Sequence, residues 1–270
     1  MAGDSQSTQR KLMYRTLSVL VAFYCSYREW RKNRGRAKRS RKRFRRMLAF
    51  YSYFIKEGDL TFDIGANIGS RTEIFLKLGA AVVAVEPQQS CVVVLKDKFA
   101  NCKDVHIVAK ALDKEVGNKE IFISPNPVLS SMSEDWIKSV KQSGRFVQEY
   151  VWDIKETVET TTLDHLIKEY GRPSFCKIDT EGFEYNVLRG LSEPVNAMSF
   201  EFHPEFIQCA VDCVRYLSKL GKAKFNYSEG ESMSLALSAW VEPDEIINTL
   251  TSLPKDGKIF GDVYARFSKV

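Results

Sequence analysis

From residue 58 onward, short runs of β-branched and aromatic residues alternate with longer amphipathic stretches. The runs predict strands at 60–64, 80–85, 105–108, 175–178, 197–202, 223–227 and 263–267. The stretches between them predict helices at 68–78, 91–99, 185–191, 206–220 and 242–250. An alternation of this kind gives an α/β fold, a mainly parallel sheet with helices on both faces, because parallel strands need crossover connections. Such sheets bind ligands at the carboxyl ends of their strands, so chemistry is expected just after each run. Residues 124–150 break the rhythm. They mix Ser, Pro and aromatics over more length than a strand-to-helix connection needs, and loops over a rigid sheet carry specificity. Ser130, Ser131 and Trp136 are the substrate-contact candidates there.

The first fifty residues follow another pattern. Residues 16–27 form an uncharged, mostly apolar run of twelve, too short to span a bilayer, which takes about 20 residues. No small-residue cleavage site follows it, so it is a poor secretory signal. It predicts a short helix lying on a membrane surface or against the body. Residues 31–46 are then basic at 11 of 16 positions. Of the chain's 40 Lys/Arg and 34 Asp/Glu, residues 1–50 hold 15 and two, a formal +13. Residues 51–270 hold 25 and 32, a formal −7, so the net +6 of the 270-residue chain hides an acidic body with a basic extension. The division expected is therefore a partly disordered extension, 1–50, and one catalytic domain, 51–270. Residues 10–46 suit contact with nucleic acid or an anionic membrane. An intracellular location follows, nuclear or cytoplasmic first, with a membrane surface or mitochondrion as alternatives; oligomeric state is open. The hydrophobic fraction of 44% excludes wholesale disorder. Six cysteines without regular spacing read as reduced thiols, and three scattered histidines give no metal-ligand spacing, so no metal is assigned.

Three motifs sit at predicted strand ends. The first is Asp63-Ile64-Gly65-Ala66-Asn67-Ile68-Gly69. A dinucleotide fingerprint starting at Gly65 would need glycine at 67 and 70, where Asn67 and Ser70 stand, which disfavours NAD. An acidic residue there suits a ligand with a cationic end better than an anion. The second is Val85-Glu86-Pro87, with Glu86 placed 23 residues after Asp63, near the separation at which an acid bonds ribose hydroxyls. The third is Lys177-Ile178-Asp179-Thr180-Glu181-Gly182-Phe183-Glu184. Three carboxylates within six residues call for a cation, a proton or a substrate, unless Asp179 or Thr180 caps the next helix and Glu181 and Glu184 favour its amino end. Beyond the fifth strand, His203 is the only histidine at a strand end and a candidate general base.

Together DIGANIG, VEP and KIDTEGFE resemble the FkbM-type family of S-adenosylmethionine-dependent methyltransferases, over about residues 58–205. The resemblance implies the Rossmann-like class I methyltransferase fold, with seven strands and the last antiparallel. It implies that Asp63, Gly65, Ala66, Asn67 and Gly69 hold the methionine end of S-adenosyl-L-methionine, Glu86 and Pro87 the ribose, and Ala111 and Leu112 the neighbourhood of adenine, with Asp113 either there or in a turn. It also places Asp179 and Glu181 at the transferred methyl, where with Glu184 they would orient an acceptor hydroxyl or accept its proton. The expected activity is O-methylation of a hydroxyl on a small molecule, glycan or lipid. The alternatives are an RNA methyltransferase recruited by the basic arm and a binding protein of the same fold without turnover.

Overall fold

The computed structural model describes residues 36–145, 150–255 and 259–268. The apolar run at 16–27 lies outside them. Helix α1 (Arg36–Tyr51) comes first. Phe44, Met47, Leu48 and Tyr51 recur at helical spacing and form one apolar stripe. Met47 and Tyr51 are buried against Phe75, Phe175 and Tyr264, each such side chain contributing about 1.5–3 kcal/mol. Arg41, Lys42, Arg43, Arg45 and Arg46 point to solvent on the other side, and Arg43 pairs with Glu231 at 3.1 Å. A basic block that would repel itself in isolation is helical here because its stripe has a sheet to cover. The expected boundary after residue 50 therefore falls inside a helix, and the folded body begins at least as early as Phe44.

The main sheet has seven strands: β1 (Leu60–Ile64), β2 (Ala81–Val85), β3 (Val105–Val108), β7 (Phe175–Ile178), β8 (Ala197–Phe202), β9 (Ala223–Glu229) and β10 (Gly261–Phe267). Their order is β3-β2-β1-β7-β8-β10-β9, with only β10 antiparallel to its neighbours. Helices α2 (Ser70–Lys77) and α3 (Gln89–Lys98) join α1 on one face. The other face carries α5 (Leu163–Tyr170), α6 (Glu184–Leu188), α7 (Ile207–Leu220) and α8 (Pro243–Thr251) over the largest core cluster, which includes Phe62, Ile178 and Phe200. Seven strands with the last antiparallel are what the resemblance to class I methyltransferases implies.

The segment between β3 and β7 is more ordered than predicted. Strands β4 (Ala111–Leu112), β5 (Gly117–Ile123) and β6 (Ile154–Thr161) form a second sheet in the order β4-β6-β5. Between β5 and β6 lies α4 (Glu134–Ser143), whose amino end is capped by Ser133 Oγ accepting from the Trp136 N–H. Leu129, Trp136, Ile137, Val140 and Trp152 give this insertion its own small core. Its strands escape prediction because they cover one side only, so charged residues keep the apolar runs to three residues or fewer.

Candidate active site

The loop after β1 is shaped by glycine. Gly65 has φ +76, and a Cβ there would stand 1.8 Å from the Asp179 carbonyl oxygen, so only glycine lets the loop pass so close to β7. Asn67 follows in the left-handed region at φ 49. Gly65 and Asn67 border an open cleft of about 610 Å³, together with Glu86, Pro87, Ala111 and Leu112. Six of the nine expected cofactor residues therefore meet at one place. The other three support it from behind. Ala66 packs on Ala84 and Leu95, and Gly69 leaves room for Leu95 and Phe99. Asp63, expected to face the cationic end of the ligand, is not at the cleft wall. It is 1% exposed, accepts from Thr72 Oγ1 at 2.6 Å and lies in register with Lys177 on the neighbouring strand, so its side chain ties α2 to β1.

Glu86 is finished as a binding group before any ligand arrives. Its two oxygens each accept one backbone N–H, Oε2 from Asn67 and Oε1 from Gln88, both at 2.9 Å. A carboxylate oxygen has a second lone pair, which remains for a ligand hydroxyl. Burial pushes the carboxyl up to about 7 against the pull of those two N–H groups. Gln88, which sequence reasoning overlooked, also bridges the cleft walls by donating Nε2 to the Pro127 carbonyl at 2.9 Å. With Ile64, Val85 and Leu112 as apolar floor, these residues fit a nucleoside whose ribose meets Glu86.

The opposite end of the cleft is acidic. Register places Asp63, Lys177, Ser199 and Tyr264 side by side across β1, β7, β8 and β10. Two residues further along, Glu201 stands opposite Asp262, and Asp179 continues that row. Lys177 Nζ donates to Asp179 Oδ2 at 2.5 Å. Burial would raise the Asp179 carboxyl, but the ammonium outweighs it and holds it below the usual range. Burial, then the charges of Asp179 and Glu184, push Glu181 well up; burial, then Glu181 and Asp179, do the same to Glu201. Asp179 and Glu181 both border the cleft. Glu181 is held at φ 52, with the Ser131 hydroxyl donating to its carbonyl at 2.6 Å and Trp136 packed where a Cβ on Gly182 would be.

Of the expected substrate contacts, Ser130 and Ser131 border the cleft with their hydroxyls engaged inside the protein, while Trp136 and Glu184 do not border it. Trp136 is fully buried in the core of the insertion, and Ser131 is buried and occupied by Glu181 and the Ser133 N–H. Ser130 Oγ accepts from the Ser124 N–H. Glu184 Oε1 accepts from Thr180 N–H and Oγ1 and from the Gly182 N–H, so it closes the turn before α6 rather than meeting substrate. Asp113 is a turn acid paired with Lys119. His203 is not a base: Trp136 Nε1 donates to its Nδ1 at 3.2 Å, which leaves the ring proton on Nε2, and burial together with Arg145 pushes it down to about 4. Glu181, Glu201 and His203 do bring one ligand atom each within 4.8 Å of one another. Sequence spacing could not show this, because the three come from two different strand ends. The five described cysteines are free.

A family model described as the methyltransferase FkbM domain matches residues 63–250. The chain belongs to the FkbM methyltransferase family. It is an S-adenosylmethionine-dependent methyltransferase, and the glycine loop and Glu86 lie where the motif resemblance places its cofactor. No curated relative matches the chain. Similar solved structures include the precorrin-6y C5,15-methyltransferase of Geobacter metallireducens, 10% identical, covering 82% of this chain and 86% of that one at a TM-score of 0.42. An rRNA methylase from Streptococcus thermophilus is 9% identical over 82% and 94% at 0.41. SMU.1697c from Streptococcus mutans, solved with SAH, is 8% identical over 81% and 94% at 0.37.

Proposed function

We propose that this FkbM methyltransferase transfers the methyl group to a hydroxyl oxygen of a small molecule, glycan or lipid. The observation that supports it is the pair Asp179 and Glu181 at the acidic end of the cleft, away from Glu86. In-line transfer needs the acceptor oxygen aligned with the sulfonium methyl and relieved of its proton as the bond forms. Alignment supplies most of the rate, and a proton acceptor about a further 10² to 10⁴. Asp179, ionised against Lys177 and with its side chain 35% exposed, can accept a hydrogen bond from that hydroxyl. The decisive experiment is radiolabelled methyl transfer into fractionated extract, sorted into small molecules, lipid, protein and RNA. Label in a hydroxyl-bearing small molecule, glycan or lipid supports the proposal; label in RNA alone overturns it.

The exposed arginines of α1 support a second, separate role for the basic segment, contact with a polyanion. Salt-dependent binding to RNA or anionic vesicles, lost on deleting residues 1–35 and reduced by Arg41→Glu with Arg45→Glu, would carry that role. Among the described residues no helix is long and apolar enough to cross a membrane.

A further inference from the structure

Carboxylates crowd the acceptor end without enough donors to match them. Lys177 is committed to Asp179 and Arg145 to Glu205, the latter through both Nε and Nη2. No donor among the described residues reaches the Glu181 carboxylate, although Glu181 is only 8% exposed and borders the cleft. Glu201 Oε2 is buried and also receives no hydrogen bond. One oxygen each of Glu181 and Glu201 lies within 4.8 Å of the other, with Glu181 lining the ligand cleft, and buried charges are paired or coordinate metals.

We propose that Glu181 and Glu201 form a site for one hard divalent cation of the Mg²⁺ or Mn²⁺ class, and that the acceptor hydroxyl oxygen completes its coordination. The proposal rests on the methyltransferase reading and names how that site holds its acceptor. Oxygen donors select hard cations, which keep open positions for water and substrate. His203 belongs to the site without ligating. With Nδ1 accepting from Trp136, its Nε2 carries the proton and lies 3.7 Å from Glu201 Oε1, beside that carboxylate but beyond hydrogen-bond reach as the site stands. Bound to the cation, the hydroxyl gives its proton to Asp179, the oxygen lone pair forms the bond to the sulfonium methyl, and the methyl–sulfur bond breaks with its electron pair on sulfur.

The test is a titration of Mn²⁺ alone into the full chain, followed by electron paramagnetic resonance and by calorimetry, with S-adenosylhomocysteine binding measured in parallel. The expected result is one Mn²⁺ per chain, competed by Mg²⁺. Glu181→Gln and Glu201→Gln should each weaken Mn²⁺ binding at least about tenfold while S-adenosylhomocysteine still binds, which also shows that they fold; His203→Ala should cost about 10- to 100-fold. Absence of Mn²⁺ and Mg²⁺ binding in a chain that binds S-adenosylhomocysteine overturns the cation site and leaves the methyltransferase reading standing. Binding of Zn²⁺ but not Mn²⁺, abolished by His203→Ala, overturns the oxygen-ligand assignment. Failure to bind S-adenosylhomocysteine would count against the cofactor site instead.

Discussion

The two halves of the sheet's carboxyl edge treat their acids differently. In the first half each carboxylate owns its donors: Asp63 has Thr72, Glu86 has two backbone N–H groups and Asp113 has Lys119. In the second half Asp179 has Lys177, Glu205 has Arg145 and Glu184 closes its own turn, while Glu201 Oε2 is buried without a hydrogen bond and no described donor reaches the Glu181 carboxyl. A satisfied carboxylate holds a fixed position and waits for a ligand hydroxyl. One without a donor, pushed well up by burial and like charge, ionises only with whatever cation or donor arrives. On the proposed function, the first half holds the cofactor and the second acts on the acceptor.

Breaking the geometry that joins the halves should have the largest effect. Gly65→Ala drives a Cβ into the Asp179 carbonyl and forces a left-handed backbone onto alanine. A loss of about 3 kcal/mol or more in denaturant unfolding, with S-adenosylhomocysteine binding abolished, is expected. Next, Asp179→Asn should lower turnover by about 10² or more with cofactor affinity little changed, as single-turnover transfer and calorimetry would show. Met47→Ala should cost about 2–5 kcal/mol of stability, because α1 is part of the body and not of a detached arm.

The finer effects separate the two kinds of carboxylate. Glu86 is protonated below about pH 7 and ionised above it, and only the ionised form accepts a charge-assisted bond from a ribose hydroxyl. Cofactor affinity should therefore rise as pH increases through about 7, and Glu86→Gln should flatten that profile in calorimetry. His203→Gln should reduce turnover by less than about tenfold, whereas loss of a general base would cost about 10² to 10⁴.

The first half of the edge was legible in sequence because its parts are local. DIGANIG and VEP carry their own turn chemistry, and the strands that bear them are mostly apolar and buried after their first residue. Even so, the Asp63 side chain was misplaced, because its partner Lys177 lies more than a hundred residues away and meets it only through strand pairing. The second half resisted for the same reason. KIDTEGFE marks the place, but Glu201 and Asp262 join it through β8 and through the antiparallel return of β10. His203 looked like a base because nothing in the sequence says that Trp136, 67 positions earlier, takes its Nδ1. The insertion was missed as structure because strands with one wet side lack long apolar runs, and α1 because a run of arginines masks the stripe from Phe44 to Tyr51.

The division of the edge into a cofactor half and an acceptor half is tested most directly by S-adenosylhomocysteine calorimetry at pH 8 on the parent chain, Glu86→Gln and Asp179→Asn. The account predicts at least about tenfold weaker binding for Glu86→Gln, the loss of one charge-assisted hydrogen bond, and a change within about twofold for Asp179→Asn. Equal affinity in the parent and Glu86→Gln, with Asp179→Asn the weaker binder, would contradict it.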